Sequence, residues 1–403
     1  MSLIAHVDAD CFYVSCERIR DASLLGKPVG VLGNQGSCVI ARSYEMKAKG
    51  VTVALPIYMA KKLCPEGIYI KRDFEWYGVV SHHIQDILKR FSPYVEFYSV
   101  DESFMEFRKP IENPEYLARK IQNTVLEEAR IPVSIGFAET RTLAKLGSDK
   151  NKPFGVTIIT PENRDEVLAS TAVQEVFGIG SQSAQKLKGQ GIHTALDLIQ
   201  QDRRHILKLL NKPGECLWYE LQGIPITPLK TERPIHKSLS RGGQLWGVQK
   251  DPKVIYGFTI RNLERFVEAL WHNRLESLHL CLTLIQEDGR ALSAEEFFPD
   301  YGDDYGTFLK AGKNLFLKLY KKDQKYSAVH LYATALRASD RKQLPLFSSQ
   351  DAHAQQVQAI KQNLSERFGP FTLRSASTAF VPEVFSDTAS NYEICDIDGK
   401  LCF

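Results

Sequence analysis

Three acidic side chains carry the strongest chemical signal in this 403-residue chain. Asp8 closes the short apolar run Leu3-Ile-Ala-His-Val, which reads as a β-strand. Asp101 and Glu102 fall between two further strand-like runs, 95–99 and 104–107, and so in the turn of a hairpin. If the first strand neighbours that hairpin, the three carboxylates meet at one sheet edge. Converging carboxylates repel one another, and a cation or bound protons must offset the repulsion. All-oxygen ligands select Mg2+ or Mn2+. Two such ions about 4 Å apart hold a triphosphate and activate a 3′-hydroxyl for in-line displacement. An Asp-Glu pair in a turn is also compatible with an ordinary solvated turn. Asp10 is placed to cap the helix that starts near Phe12.

Aromatic and basic residues surround these acids. Phe12 or Tyr13 could pack on the sugar of a nucleotide and exclude a 2′-hydroxyl, or could belong to the core. Arg42, Tyr44 and Lys47 cluster at a strand-to-helix junction, where cations beside a helix N-terminus suit phosphate. Lys145, Lys150 and Lys152 could form a solvated helix face, but Lys152 stands at a helix exit before Pro153, within reach of a polyphosphate. Gly178 and Gly180 punctuate a hairpin that feeds a helix, and free amides there hold phosphate without reading sequence. Gln343-Leu344-Pro345-Leu346-Phe347, beside Arg341 and Lys342, reads as an extended apolar docking anchor, with a buried strand end as the alternative.

The elements that must position these residues follow from periodicity. Residues 3–159 read as β-α-β-β-α-β with insertions, an α+β sheet with helices on one face. A helix over 75–90 places Trp76, Val79, Val80, Ile84, Ile87 and Leu88 on one face. Residues 162–223 read as short helices, and Pro225, Pro228 and Pro234 mark a linker. Residues 235–342 read as α+β again, with helices over 252–275 and 306–320 and strands over 278–285 and 328–336. A helix over 352–368 stops at Gly369-Pro370, and two short strands around Asp398-Gly399 end the tail.

Composition is that of a globular multidomain protein, with 25% charged and 10% aromatic residues. No apolar run reaches the roughly 18 residues of a membrane span, and Asp8 with no basic flank argues against a signal peptide. The eight cysteines form no Cys-x-x-Cys pair and read as reduced thiols of a cytoplasmic protein. Net charge is only +3, but residues 228–347 hold 19 basic and 14 acidic side chains, a +5 block that can follow phosphates.

Taken together, these motifs resemble those of the Y-family translesion DNA polymerases. Asp8-Ala-Asp-Cys-Phe-Tyr13 resembles the first motif, and Cys38-Val-Ile-Ala-Arg42-Ser-Tyr44-Glu-Met-Lys47 the fingers motif. Ser92-Pro-Tyr-Val-Glu-Phe-Tyr-Ser-Val-Asp101-Glu102-Ser-Phe104 resembles the second metal motif, and Lys152-Pro-Phe-Gly155 the triphosphate-binding lysine. The order is the family's, the likeness spans about residues 3–370, and the wording is closer to the UmuC branch than to the DinB branch. The resemblance implies a right-hand fold: a ferredoxin-like palm with small fingers (1–161, fingers about 24–75), a helical thumb with a helix-hairpin-helix (162–227), a linker (228–234), an α+β little finger (235–342), then a clamp-binding peptide and tail (343–403).

It implies error-prone synthesis past DNA damage, within the SOS response, by two Mg2+ ions, with Mn2+ able to substitute. Asp8, Asp101, Glu102 and the Ala9 carbonyl would hold the ions. Tyr13, beside Phe12, would be the sugar gate. Arg42, Tyr44, Lys47 and Lys152 would bind the triphosphate. Gly178 and Gly180 would meet DNA, and Gln343, Leu344, Leu346 and Phe347 a sliding clamp. Expected partners are primer–template DNA, deoxynucleoside triphosphates, the clamp and an UmuD-like accessory subunit, with no membrane. Ser103 departs from the family's usual small residue, and no general base is identifiable. A catalytically silent scaffold is the main alternative, disfavoured by its intact acids. A palm-fold cyclase needs neither DNA grip nor clamp anchor.

Overall fold

Alternation makes the first strand, β1 (Leu3–Ala9), two-faced. Ala5, Val7 and Ala9 enter the main apolar core, while Ile4, His6 and Asp8 point to the opposite side. The chain continues as α1 (Phe12–Arg20), β2 (Val29–Leu32), β3 (Val39–Arg42), α2 (Tyr44–Ala48), α3 (Ile57–Leu63), β4 (Ile68–Lys71), α4 (Phe74–Lys89), β5 (Val95–Phe97), β6 (Glu102–Phe107), α5 (Pro114–Ala129), β7 (Val133–Ala138), α6 (Arg141–Lys150) and β8 (Val156–Ile158). Four helices follow: α7 (Arg164–Ala169), α8 (Ser181–Lys188), α9 (Ala195–Ile199) and α10 (Arg203–Leu221). This computed structural model describes residues 2–33, 38–231, 236–339, 352–368, 373–379 and 381. The apolar peptide 343–347, most of the turn 33–37 and the terminal strands expected around Asp398 lie outside the described residues.

The main sheet has the order β5-β6-β1-β7-β8. β1 is central and runs antiparallel to both neighbours, with Asp8 opposite Glu102 on one side and Ser134 on the other. Helix starts are set by capping side chains: Asp73 accepts from the Trp76 amide, Asn113 from Tyr116 and Thr140 from Leu143. α4 and α5 bury Phe74, Tyr77, Ile121 and Val125 against one sheet face. The expected stripe on α4 is off at Val79, which is 58% exposed, while Tyr77 is buried in its place.

The expectation of helices on one face is corrected by α6, which covers the other. It seats over Gly136 in β7, whose missing side chain lets the backbones touch. Its start is tied to the end of α10: Thr140 Oγ1 donates to the Glu220 carbonyl, and the Thr142 amide and hydroxyl both donate to Glu220 Oε2 at 3.0 Å. Arg141 pairs with buried Glu96 at 2.8 Å. A separate small sheet, β3-β2-β4, stands on residues 29–71.

Residues 1–233 and 234–386 form two compact units. The second contains β9 (Leu239–Gln249), α11 (Pro252–His272), β10 (Leu275–Gln286), β11 (Ala291–Gly302), α12 (Tyr305–Leu319), β12 (Tyr326–Ala333), β13 (Leu336–Ala338) and α13 (Ala352–Phe368). Its sheet runs β11-β10-β12-β9, with β13 also on β10. Phe258, Leu263, Phe266, Phe308 and Leu315 of α11 and α12 fill its core. Lys361 of α13 reaches Glu264 of α11 at 3.2 Å. Among the described residues no helix is long and apolar enough to cross a membrane.

Candidate active site

The register of β1 with β6 puts Asp8 and Glu102 side by side at one end of the main sheet. Glu102 opens β6 rather than sitting in a turn, and Asp101 occupies the bend before it. Carboxylate oxygens of Asp8 and Glu102 and a ring nitrogen of His6 all lie within 4.8 Å of one another. Asp101 is outside that group: its Oδ1 accepts from Ser99 Oγ at 2.5 Å, and its carbonyl accepts from the Ala9 amide at 2.9 Å. The structure thus gathers two of the three expected carboxylates and adds a histidine that sequence reasoning missed. The signal for it was the period of two along β1, which puts His6 on the face of Asp8.

Two ammonium groups balance this charge. Lys152 Nζ lies 2.7 Å from Asp8 Oδ1 and 2.8 Å from Asp149, and Lys145 Nζ lies 2.5 Å from Glu102 Oε1. Lys145 is therefore buried and paired, not on a solvated face, and it also lies 4.7 Å from the Phe177 ring centre. Lys150 points elsewhere, to Ser170. Burial pushes the Asp8 carboxyl up to about 8, with Glu102 and Asp101 adding repulsion and Lys152 opposing it. Burial raises Asp101 too, and Glu102 adds to it, against the Ser99 hydrogen bond. Burial pulls His6 well below the usual imidazole range, and Lys145, Lys152 and Arg141 add to this, so the ring is neutral at pH 7. The donor set suits a divalent cation: two carboxylates and a neutral imidazole converge, and two lysines supply the positive charge that carboxylates this close require.

Asp10 does not cap α1. The helix starts at Cys11 in a left-handed conformation with no side-chain cap. Asp10 instead accepts from Tyr44 Oη at 3.2 Å, Ser134 Oγ at 3.0 Å and the Phe154 amide at 2.8 Å, tying β3–α2 and the loop before β8 to the end of β1. Tyr44 is thereby oriented toward the site. Lys47 is exposed, with its Nζ 6.0 Å from the Tyr44 ring centre, and Arg42 is half-buried. The α2 start is closed by Ser43, which accepts from the Met46 amide. Tyr13 stacks on Tyr77 at 4.6 Å and 19°, beside Phe74 and Phe12, and is 9% exposed. Gly178 adopts φ +92°, open to glycine at little cost, and Gly180 precedes α8 with open space around its Cα.

An α+β sheet with acids at the end of its central strand, a small flanking sheet and a helical segment define a right-hand nucleotidyltransferase. Residues 7–149 match the family model described as the impB/mucB/samB family. The chain is 30% identical over 385 residues to DNA polymerase IV 1 of Bacillus subtilis (strain 168), covering 93% of each chain. It is 37% identical over 227 residues to DNA polymerase IV of Oceanobacillus iheyensis, covering 55% of this chain and 54% of that one. Among solved structures it is similar to a Y-family DNA polymerase chimera built on Dbh, with TM-score 0.70 and 25% identity over 83% of this chain and 99% of that one. The chain belongs to the Y family of DNA polymerases. It is a DNA-directed DNA polymerase of translesion synthesis with palm, fingers, thumb and little finger, and the silent scaffold finds no support. Catalysis in this family depends on metal. The comparisons do not separate the UmuC branch from the DinB branch.

Proposed function

We propose that this polymerase extends a primer past template damage using two Mg2+ ions, replaceable by Mn2+, held by Asp8, Asp101, Glu102 and the Ala9 carbonyl. The observation that carries this reading is the Asp8–Glu102 pair at the end of β1 and β6, flanked by Lys152 and Lys145. Bound there, the ions supply Lewis-acid stabilisation of the phosphate charge and a more acidic 3′-hydroxyl. Lys152, Arg42, Tyr44 and Lys47 bind and orient the triphosphate of the incoming deoxynucleotide. Lys152 then exchanges its Asp8 contact for phosphate oxygen, both being anionic acceptors. The amides around Gly178 and Gly180 hold the DNA backbone without sequence preference. Primer extension across a lesion-bearing template, with Mg2+ or Mn2+, tests the whole reading, and absence of any extension overturns it.

Tyr13, beside Phe12, is the sugar gate. Its stack on Tyr77 and Phe74 fixes the ring, so a 2′-hydroxyl meets a side chain that cannot yield. In Tyr13→Ala, single-nucleotide kinetics should show discrimination against ribonucleotides falling about 10- to 100-fold, the scale of a steric pocket. An unchanged ribo/deoxy ratio returns Tyr13 to a purely packing role.

The polymerase works in the cytoplasm on a sliding clamp, docked by Gln343, Leu344, Leu346 and Phe347, with an UmuD-like subunit as a further partner. A +5 block that grips phosphate by charge releases DNA readily as salt rises. Tethering to a ring on DNA replaces repeated capture by a high effective concentration. Replacing Gln343, Leu346 and Phe347 together by Ala should leave single-nucleotide insertion unchanged and abolish clamp stimulation of long extension. Retained stimulation, or collapse of insertion without clamp, makes the segment a structural strand end.

A further inference from the structure

His6 lies two cross-strand rows from the carboxylates, on the same face of β1, opposite Phe104 and Gly136. Its ring packs on Phe104 at 4.5 Å and is fully buried. Nδ1 lies 2.7 Å from Ser148 Oγ, and the Ser148 hydroxyl donates to the Lys145 carbonyl at 2.8 Å. A hydroxyl has one proton to give. The proton between ring and serine is therefore the ring's, on Nδ1, and Nε2 is the ring position left open. Nε2 is buried and has no partner among the described residues. A buried acceptor without a donor costs about 1–3 kcal/mol, a cost that a donor entering the site would remove. Neither Asp8 nor Glu102 makes a hydrogen bond with Nε2, although both carboxylates lie within 4.8 Å of a ring nitrogen. Lys145 and Lys152 are committed to Glu102, Asp8 and Asp149.

We propose that His6 is a positioning residue of the metal centre, its Nε2 accepting a hydrogen bond from the hydration shell of the cation held by Asp8 and Glu102. Ser148 fixes the tautomer that makes this acceptor available, as outer-shell partners of metal sites commonly do. The inference rests on Asp8 and Glu102 as cation ligands, and its test separates the two. Mn2+ binding to the full chain, followed by electron paramagnetic resonance without nucleotide, is the readout. His6→Asn keeps an amide donor for Ser148 but has no atom at Nε2, and should bind Mn2+ about 10-fold more weakly. His6→Gln puts an acceptor near the Nε2 position and should stay within about 2-fold of the parent. Parental affinity in His6→Asn, or equal loss in both variants, overturns the role of His6. Parental affinity in Glu102→Gln overturns instead the ligand reading beneath it. A long-range proton–nitrogen spectrum of the unsubstituted protein decides the matter should either His6 variant fail to fold. The Nδ1–H tautomer, with an Nε2 resonance that moves on adding Mg2+, supports the assignment; an Nε2–H tautomer, or a resonance blind to Mg2+, overturns it.

Discussion

Asp101→Ala and Glu102→Ala should each lower single-turnover nucleotide incorporation by at least about 10^3-fold, some 4 kcal/mol of transition-state stabilisation. Primer–template affinity should stay within a few-fold of the parent. The split follows from where the charges act. The two acids would hold the ions that balance charge at the reacting phosphate, whereas DNA is gripped mainly at its phosphates by groups elsewhere. The pair also separates two roles. Glu102 lies in the carboxylate–histidine group, while Asp101 is bonded to Ser99 outside it. If Asp101 serves only to shape the bend before β6, its Ala variant will lose stability but keep incorporation, and the loss will be confined to Glu102. Substantial Mg2+-dependent extension by both variants, with binding of DNA measured by fluorescence anisotropy, would show that neither acid is a ligand.

Gly136→Ala should be among the most damaging single-methyl changes in the protein. A Cβ at this position would stand 2.0 Å from the Ala144 carbonyl oxygen, 2.4 Å from the Ser148 amide and 2.8 Å from the Gly147 carbonyl carbon. All three are backbone atoms of α6, so no rotamer change relieves the clash and the helix itself must lift. Overpacking against backbone costs about 3 kcal/mol or more, which for a unit of this size is a fall in Tm of about 10 °C. Lifting α6 also moves Lys145 off Glu102 and Ser148 off His6, so incorporation should fall even below the melting range. A Gly136→Ala protein with the parent's Tm and activity would mean that α6 seats elsewhere than this structure places it.

Much of the first unit was legible because its elements carry strong local marks. β1 is a short apolar run ended by Asp8; α5 has Asn113 and Pro114 at its start. The second unit was half legible. β10 and β12 are apolar and were expected, β10 with shorter bounds and β12 displaced toward its C-terminal end. β9 and β11 were not: β9 carries Gly242, Gly243 and Gly247, and β11, at the sheet edge, alternates exposed with half-buried residues. Such strands exist because a neighbour supplies their hydrogen bonds, not because their own side chains favour extension.

By itself the sequence determined the chemistry on offer: Asp8, Asp101 and Glu102 at strand ends, Lys152 before a proline, aromatic residues after the first acid, and the order of motifs that marks the family. These are matters of residue type and spacing, which local periodicity transmits. Only the tertiary structure decided which of them meet. Register across β1 and β6 joined Asp8 to Glu102 and left Asp101 with Ser99. Packing of α6 over Gly136 buried Lys145 and brought Ser148 to His6. Asp10 became a tie between three segments rather than a cap. The physical reason is that a side chain's partners are set by strand register and helix approach. Both are fixed by contacts between residues far apart in the chain, to which no local pattern has access.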